Sequence, residues 1–358
     1  MHSTNTNDGA PDRSAAKISG LVWLAVLCLA LLGGLGIGYV AGFGFSTEPK
    51  SPELTIATSD WRPVKPIELV VMAGEGGGAD KMAHVIKRIV EDDGLAHQPI
   101  VLVNKAGQSG GEALRHLKGR AGDPHVIMLT LNTIYTTPLR QPDLGVRLED
   151  YTPVARLAEG SPVLWVNAES GINGFEDYLA AVRAAGPNAW KMGGAGSGQE
   201  DSFVTALLEQ AYGVKHGRVV YASGGKAAEG LAKGEVQSTI NTLPEQAALY
   251  GAGKTRPIAV FAAHRIPALP DVPTFRELGR DLVYFIQRSV VAPPNVQPEV
   301  EAYYLRLFQR VGRSDEWQSY LRKAGLHHTM LPGEPLMAYL LDERERHREL
   351  LASMGGAF

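Results

Sequence analysis

The chain has 358 residues, of which 44% are hydrophobic and 20% are charged, and its formal net charge is −3. This length and composition predict a globular protein with room for two lobes or domains. The slightly acidic balance gives no global electrostatic attraction for nucleic acid, so no nucleic-acid partner is expected. The single cysteine, Cys28, excludes an internal disulfide and a cysteine-based metal site.

An uncharged segment near the amino terminus predicts contact with a membrane. Residues 1–17 are polar and carry Arg13 and Lys17, and residues 18–45 contain no charged side chain. A bilayer needs ~20 apolar residues, whereas the core of a signal peptide has ~7–15. The pattern predicts a cytoplasmic tail (1–17) and a membrane anchor or signal segment (18–45). An uncleaved membrane helix is the preferred interpretation, and a cleaved signal peptide stays an alternative. Proline-rich residues 46–63 predict a linker to an extracytoplasmic part.

A glycine-rich loop at residues 74–78 joins the first predicted strand to the first predicted helix. Residues 67–73 are apolar and rich in β-branched side chains, which predicts a buried strand. Apolar residues recur at helical spacing from Met82 to Val90. Backbone N–H groups of consecutive glycines can converge on an anion, and the helix dipole adds positive potential. The loop therefore predicts an anion site or, alternatively, a plain tight turn.

Strands and helices alternate through the rest of the chain, which predicts an α/β fold with largely parallel sheets. The further predicted strands comprise residues 99–104, 125–131, 163–166, 219–221, 236–241, 258–262 and 289–292. The predicted helices include residues 175–185, 298–311, 315–324 and 335–354. Three more glycine turns, at residues 107–111, 193–198 and 222–226, separate strands from helices. Ligands bind beyond the carboxyl ends of strands in such sheets, so these loops predict a cleft between two lobes.

One glycine turn also matches a catalytic pattern. Residues 107–111 have the G-x-S-x-G spacing of a hydrolase nucleophile, with Ser109 at its centre. A hydrolase needs an acid and a histidine downstream, for which His216 and His264 are the candidates. The chain has no Walker A and no zinc motif. A serine hydrolase using Ser109 stays an alternative, and no metal or cofactor is expected.

A series of short motifs resembles those of a known family in order and spacing. They lie at residues 61–67, 76–80, 103–111, 150–154, 194–198, 269–274 and 291–294, the most specific being Leu269-Pro270-Asp271-Val272-Pro273-Thr274. The family is that of the solute receptors of tripartite tricarboxylate transporters, also called Bug proteins. The resemblance covers the chain from Trp61 to the carboxy terminus.

The resemblance implies a type II periplasmic-binding-protein fold, in which two α/β lobes joined by two crossovers close on a ligand. Lobe 1 is expected to comprise residues 64–166 and 287–358, and lobe 2 residues 167–286. The first glycine loop is expected to face residues 194–201 across the cleft. The implied ligand-binding residues are Gly76, Gly77, Gly78, Ala79, Asp80, Asn132, Thr133, Gly196, Ser197, Gly198 and Asn241.

The resemblance further implies a monomeric extracytoplasmic receptor that captures a small carboxylate and delivers it to permease subunits. Such a receptor is not an enzyme. A sensory binding module is a second alternative. The negative charges of Glu75, Glu200 and Asp201 do not fit a simple anion site. Lys226 and Arg288 are candidates to offset these charges. Glu75 and Glu200 are therefore included among the candidate ligand-binding residues.

Overall fold

Two β-sheets with helices packed on them form the part of the chain that the computed structural model describes, residues 60–196 and 198–353. The predicted tail, the predicted membrane segment and most of the linker lie outside these residues. Within the described ranges, no helix is both long enough and apolar enough to span a bilayer.

The strands and helices alternate along most of the chain, as expected. The strands are β1 (Ile67–Val71), β2 (Ile100–Asn104), β3 (Val126–Thr130), β4 (Thr152–Gly160), β5 (Val163–Asn167), β6 (Lys191–Ala195), β7 (Gly217–Tyr221), β8 (Ser238–Asn241), β9 (Thr255–Val260), β10 (Ile286–Ala292) and β11 (Leu326–Pro332). The helices are α1 (Gly78–Asp92), α2 (Gly111–Lys118), α3 (Thr133–Arg140), α4 (Phe175–Ala185), α5 (Glu200–Tyr212), α6 (Gly224–Ala232), α7 (Leu243–Gly251), α8 (Pro298–Arg313), α9 (Asp315–Ala324) and α10 (Gly333–Ser353).

The first strand and helix follow directly from the apolar pattern. In β1, Leu69 and Val71 are fully buried, and the inward face of α1 buries Met82, Ile86 and Ile89 completely. Each such side chain contributes about 1.5–3 kcal/mol relative to leaving it in water. This burial fixes the glycine loop between β1 and α1 at the carboxyl edge of the sheet.

Both sheets are mixed, whereas largely parallel sheets were expected. The first has the order β11-β4-β10-β3-β1-β2, and the second β7-β6-β8-β5-β9. Strand β1 is parallel to β2 and β3, but β10 is antiparallel to β3 and β4, and β11 to β4. Strand β6 is parallel to β7 and β8, but β5 is antiparallel to β8 and β9. The chain reaches β5 and β10 directly from the other sheet. Neither strand therefore follows a helical crossover, which is the connection that makes neighbouring strands parallel.

The chain passes between the sheets twice, from β4 to β5 and from β9 to β10. The first passage is short, with only Ser161 and Pro162 between the two strands. The expected lobe limit at residue 166 assigns β5 to lobe 1, but β5 hydrogen-bonds with β8 and β9 of the second sheet. Gly160 at the end of β4 pairs with Ile286 at the start of β10, so both passages leave the first sheet side by side.

Several elements differ from the pattern-based expectation. Strands β4 and β11 and helix α3 were not predicted, because proline and charged residues interrupt their apolar pattern. Gly193 and Gly194 lie in β6 and not in a turn. A Cβ atom at Gly194 would lie 2.2 Å from a carboxylate oxygen of Asp201, so glycine is needed there for close packing in the strand.

Candidate functional site

A small cavity lies between the two sheets, with a volume of about 50 Å³, which is enough for a few water molecules. Its lining comes from strands of both sheets and from the loops and helices that adjoin them. The lining residues are Ala73, Gly74, Gly77, Gly78, Ala79, Leu131, Pro162, Ala195, Gln199, Glu200, Asp201, Ser223, Gly224, Ile240, Asn241, Thr242, Glu245, Ile286 and Arg288. The cavity is therefore at the place where a cleft between two lobes was expected.

The first glycine loop forms one wall of the cavity, with Gly77, Gly78 and Ala79 in its lining. Asp80 is buried, and its carboxylate accepts hydrogen bonds from the Gly76 backbone N–H (2.8 Å) and from the Asn104 side-chain amide (2.9 Å). Asp80 thus holds the shape of the loop at the amino terminus of α1. Gly76 and Asp80 are not among the lining residues.

Glu75 is exposed on the same loop and does not line the cavity. Lys226 is also outside the lining, and its ammonium group pairs with Glu229 at 3.0 Å on the surface of α6. Neither residue contributes a charged group to the lining of the cavity.

The first glycine loop packs against residues 222–225 of the second sheet. It also lines the same cavity as Ala195, Gln199, Glu200 and Asp201 of the segment that it was expected to face. A Cβ atom at Gly74 would lie 2.3 Å from the Ala222 carbonyl oxygen, and one at Gly225 would lie 2.5 Å from the Gly76 carbonyl oxygen. Backbone meets backbone at this contact, so a side chain on either glycine would separate the two loops.

Glu245 links the two halves of the molecule at the cavity. Its Oε1 accepts a hydrogen bond from the backbone N–H of Gly78 at 3.1 Å. Its Oε2 accepts from the backbone N–H of Thr242 at 2.8 Å and from the Thr242 hydroxyl at 2.9 Å, which closes a capping box at the start of α7. One carboxylate therefore caps α7 and contacts the amino terminus of α1.

Glu200 makes a similar link at the amino terminus of α3. It is 6% exposed, and its Oε1 accepts a hydrogen bond from the Thr133 backbone N–H at 3.0 Å. Thr133, which was expected to contact a ligand, thus contacts Glu200 and does not line the cavity. Burial raises the pKa of Glu200 above its ordinary value.

Asp201 follows Glu200 and also lines the cavity. Its carboxylate accepts hydrogen bonds from the backbone N–H groups of Ala195 (2.5 Å) and Ser202 (2.9 Å). Burial, to which the nearby Glu200 carboxylate adds, raises the pKa of Asp201 to about 8.

Arg288 supplies the positive charge in the lining. The side chain is 3% exposed, and Nε and Nη1 have no hydrogen-bond partner among the described residues. Its Nη2 would lie 3.0 Å from a Cβ atom at Gly78, so the missing side chain of Gly78 leaves room for the guanidinium group. Burial lowers the pKa of Arg288, but an arginine stays charged in proteins. A buried cation with unpartnered donors is suited to an anion.

Asn132 and Asn241, both expected to bind ligand, have different surroundings. Asn132 is fully buried, donates to the Phe285 carbonyl (2.8 Å) and accepts from the Gln287 backbone N–H (3.0 Å). It fastens the carboxyl end of β3 to the start of β10 and is outside the lining. Asn241 lines the cavity and donates to the Gly224 carbonyl at 3.0 Å.

The expected site at residues 196–198 lies partly elsewhere. Ser197 is outside the residues that the structure describes. Gly196 lines a separate cavity of about 230 Å³ beside β6 and β7. The Gly198 carbonyl accepts a hydrogen bond from Arg140 Nη1 at 2.6 Å, which joins the end of α3 to the start of α5. This loop therefore contributes a contact between the two sheets.

The site includes residues that were not predicted from the sequence, chiefly Glu245, Thr242 and Ser223. A signal for two of them exists, because Thr242 and Glu245 have the spacing of a capping box after a predicted strand. No local pattern indicates that Glu245 also reaches Gly78, which is 167 residues away.

The hydrolase alternative finds no support in the placement of its residues. The Ser109 carbonyl accepts a hydrogen bond from the Thr137 hydroxyl at 2.6 Å, in the first sheet's half of the molecule. His216 lies in the other half, between the Tyr178 hydroxyl (2.7 Å) and Glu209 (3.3 Å). A catalytic serine needs its base within hydrogen-bond reach.

Comparison with known proteins gives one consistent result. A family model described as "Tripartite tricarboxylate transporter family receptor" matches residues 86–355. Protein BugT of Bordetella pertussis is 27% identical over 251 residues, which are 68% of this chain and 75% of that protein.

Solved structures agree with the sequence relatives. An R. palustris protein solved with adipate is 27% identical, has a TM-score of 0.75, and the match covers 83% of this chain and 99% of that one. The periplasmic binding protein BugD has a TM-score of 0.76 at 21% identity, covering 82% of this chain and 98% of that one. These likenesses confirm the two-lobed periplasmic-binding-protein fold. Because the family model spans well over half of the sequence, the chain belongs to the receptor family of tripartite tricarboxylate transporters.

Proposed function

We propose that this chain is an extracytoplasmic receptor that binds a small carboxylate between its two lobes and delivers it to permease subunits of a tripartite transporter. The observation that carries the proposal is the buried guanidinium group of Arg288: the residue lines the cavity, and its Nε and Nη1 have no hydrogen-bond partner among the described residues. The bound R. palustris relative supports the ligand class, because it was solved with adipate.

Arg288 is the favoured anchor because three backbone donors of the first glycine loop already have partners within the chain. The Gly76 N–H donates to Asp80, the Gly77 N–H to the Gly74 carbonyl at 3.2 Å, and the Gly78 N–H to Glu245. A charge-assisted, bidentate contact with a guanidinium group is stronger than a neutral hydrogen bond. The glycine loop then provides close access to Arg288 and shapes the cavity around the ligand.

The cellular setting follows from the family and the amino-terminal sequence. A receptor of this family captures solute and releases it unchanged, so no catalytic residue is assigned. We place residues 64–162 and 286–353 in lobe 1 and residues 163–285 in lobe 2, with one molecule forming the working receptor. Residues 18–45 tether it to the cytoplasmic membrane, or are removed by signal cleavage.

Isothermal titration of the full-length chain with a panel of small mono- and dicarboxylates tests the proposal. We expect at least one member to bind, and Arg288→Gln to weaken that binding by about 30-fold or more, because a buried ionic contact is lost. Arg265→Gln is the matched control, since Arg265 is an exposed arginine paired with Glu277 at 2.9 Å. Binding that is equally strong in Arg288→Gln and the parent chain would contradict Arg288 as the anchor.

A further inference from the structure

We infer that Glu200 and Glu245 are specificity-determining residues that make the cavity select a small aminocarboxylate over a dicarboxylate. The inference rests on the proposed function and names the ligand class of the same site. The ligand's carboxylate faces Arg288, and its ammonium group faces Glu200.

The cavity contains an unusual set of charges for a site that binds an acid. Three carboxyl side chains line it, those of Glu200, Asp201 and Glu245, beside the single guanidinium of Arg288. Glu200 and Arg288 are 6% and 3% exposed, so water screens their charges little. Arg288 independently indicates an anionic group in the ligand, because Nε and Nη1 are buried without a partner among the described residues.

Two helix amino termini beside the cavity already hold carboxylates of the chain itself. Glu245 accepts from Gly78 at the start of α1 (3.1 Å), and Glu200 accepts from Thr133 at the start of α3 (3.0 Å). A dicarboxylate can pair one end with Arg288, but its other end meets carboxylates where it needs donors. Like charges at short distance in a poorly solvated site repel strongly.

At the second end of an aminocarboxylate, attraction to the lining carboxylates replaces this repulsion. Its ammonium group carries three donors and a positive charge, which complement carboxylate oxygens. Even where burial keeps both Asp201 and Glu200 protonated, the charge of Glu245 balances that of Arg288, so the lining has no excess positive charge for a second carboxylate. A zwitterion leaves this balance unchanged, whereas each carboxylate of a dianion makes it more negative. The volume of about 50 Å³ further favours a ligand of few atoms.

Two matched ligand series test the inference by titration of the full-length chain. The first comprises alanine, lactate, propionate and methylmalonate, which differ only in the group on one carbon atom. The second comprises 4-aminobutyrate, 4-hydroxybutyrate, butyrate and glutarate, which differ at the end of one chain. We expect the amino member of at least one series to bind about 10-fold or more tighter than the dicarboxylate of that series.

Glu200→Gln then connects this preference to one side chain. The amide oxygen still accepts from Thr133, but the negative charge is gone. We expect aminocarboxylate affinity to fall about 10-fold and the preference over the dicarboxylate to shrink by a similar factor. Glu229→Gln, on the exposed face of α6, is the matched control and leaves both affinities unchanged.

The outcomes separate this inference from the proposed function. Tighter binding of the dicarboxylates overturns the selectivity, while carboxylate binding itself stands. Absence of binding by every compound in both series and in the wider carboxylate panel overturns both. A Glu200→Gln variant that keeps the full preference overturns the role of Glu200. If that variant does not fold, the two series on the parent chain decide the ligand class.

Discussion

The carboxylate of Glu245 accepts a hydrogen bond from the backbone N–H of Gly78 and so joins the start of α7 to the start of α1 beside the cavity. Its other oxygen caps α7 through Thr242. The two oxygens of one side chain therefore have separate tasks, one within the second sheet's half and one between the halves.

Glu245→Gln is expected to remove the link between the halves while keeping the helix cap. The three donors from Thr242 and Asn241 hold the amide oxygen at the Oε2 position, which leaves the NH₂ group facing the Gly78 N–H. Loss of this bond lowers the free energy of unfolding by about 1–3 kcal/mol, measured by urea denaturation. Glu229→Gln, a substitution on the surface, stays within about 0.5 kcal/mol of the parent chain. Equal stability of the two variants would contradict a structural role for the Glu245–Gly78 bond.

Gly225→Ala is expected to keep the two loops apart. The new methyl group would lie 2.5 Å from the Gly76 carbonyl oxygen, and backbone cannot yield as a flexible side chain can. The expected result is a larger radius of gyration in small-angle X-ray scattering and about 10-fold weaker ligand binding. Gly251→Ala provides the control, because a Cβ atom there meets no atom within 4 Å and alanine favours the helix. An unchanged scattering curve for Gly225→Ala would refute the close approach.

Asn132→Asp is expected to destabilise the junction between β3 and β10. An aspartate can accept from the Gln287 N–H, but it cannot donate to the Phe285 carbonyl. A buried acceptor left without its donor costs about 1–3 kcal/mol, so the urea midpoint should fall accordingly. Asn173→Asp, at an exposed position where Arg256 donates to the side-chain oxygen at 2.7 Å, should leave stability nearly unchanged. Similar midpoints for both variants would show that Asn132 does not secure the junction.

Glu209 is expected to make stability fall in acid. Burial opposes its ionisation, but hydrogen bonds from His216 and Lys215 outweigh burial and lower the pKa of Glu209 to about 2. The folded pKa is below the unfolded value near 4.5, so the contribution is complete above pH 4.5 and is lost as the pH falls toward 2. The contribution is on the order of 1–3 kcal/mol. Urea unfolding of the parent chain and Glu209→Gln between pH 6 and 2.5 measures it, and equal slopes in the two proteins would disprove it.

The parts of the fold that could be predicted are those that local sequence determines. The apolar sequence pattern predicts the strand at residues 67–73 and the helix from Met82 to Val90, and the buried side chains follow the same pattern. The limits of α4 were predicted as the structure has them, Phe175–Ala185. Strand β4 was missed because its partners β10 and β11 lie far along the chain, and pairing with them outweighs its own irregular pattern.

The candidate site was only partly predictable, for a related reason. Glycine-rich loops indicate where the backbone lies close to a ligand or to another segment of the chain, and Gly77, Gly78 and Ala79 do line the cavity. The sequence does not indicate what approaches them. The closest neighbour of Gly74 is the Ala222 backbone, and the partner of Thr133 is Glu200. Such pairs arise only when two sheets are brought together, so no local spacing contains them.

The pairing of Gly160 with Ile286 has a mechanical consequence. Both passages of the chain leave the first sheet at one point, so this junction is the expected hinge between the halves. A small rotation at this hinge moves the far rim of each half over a larger distance than it moves the residues beside the hinge.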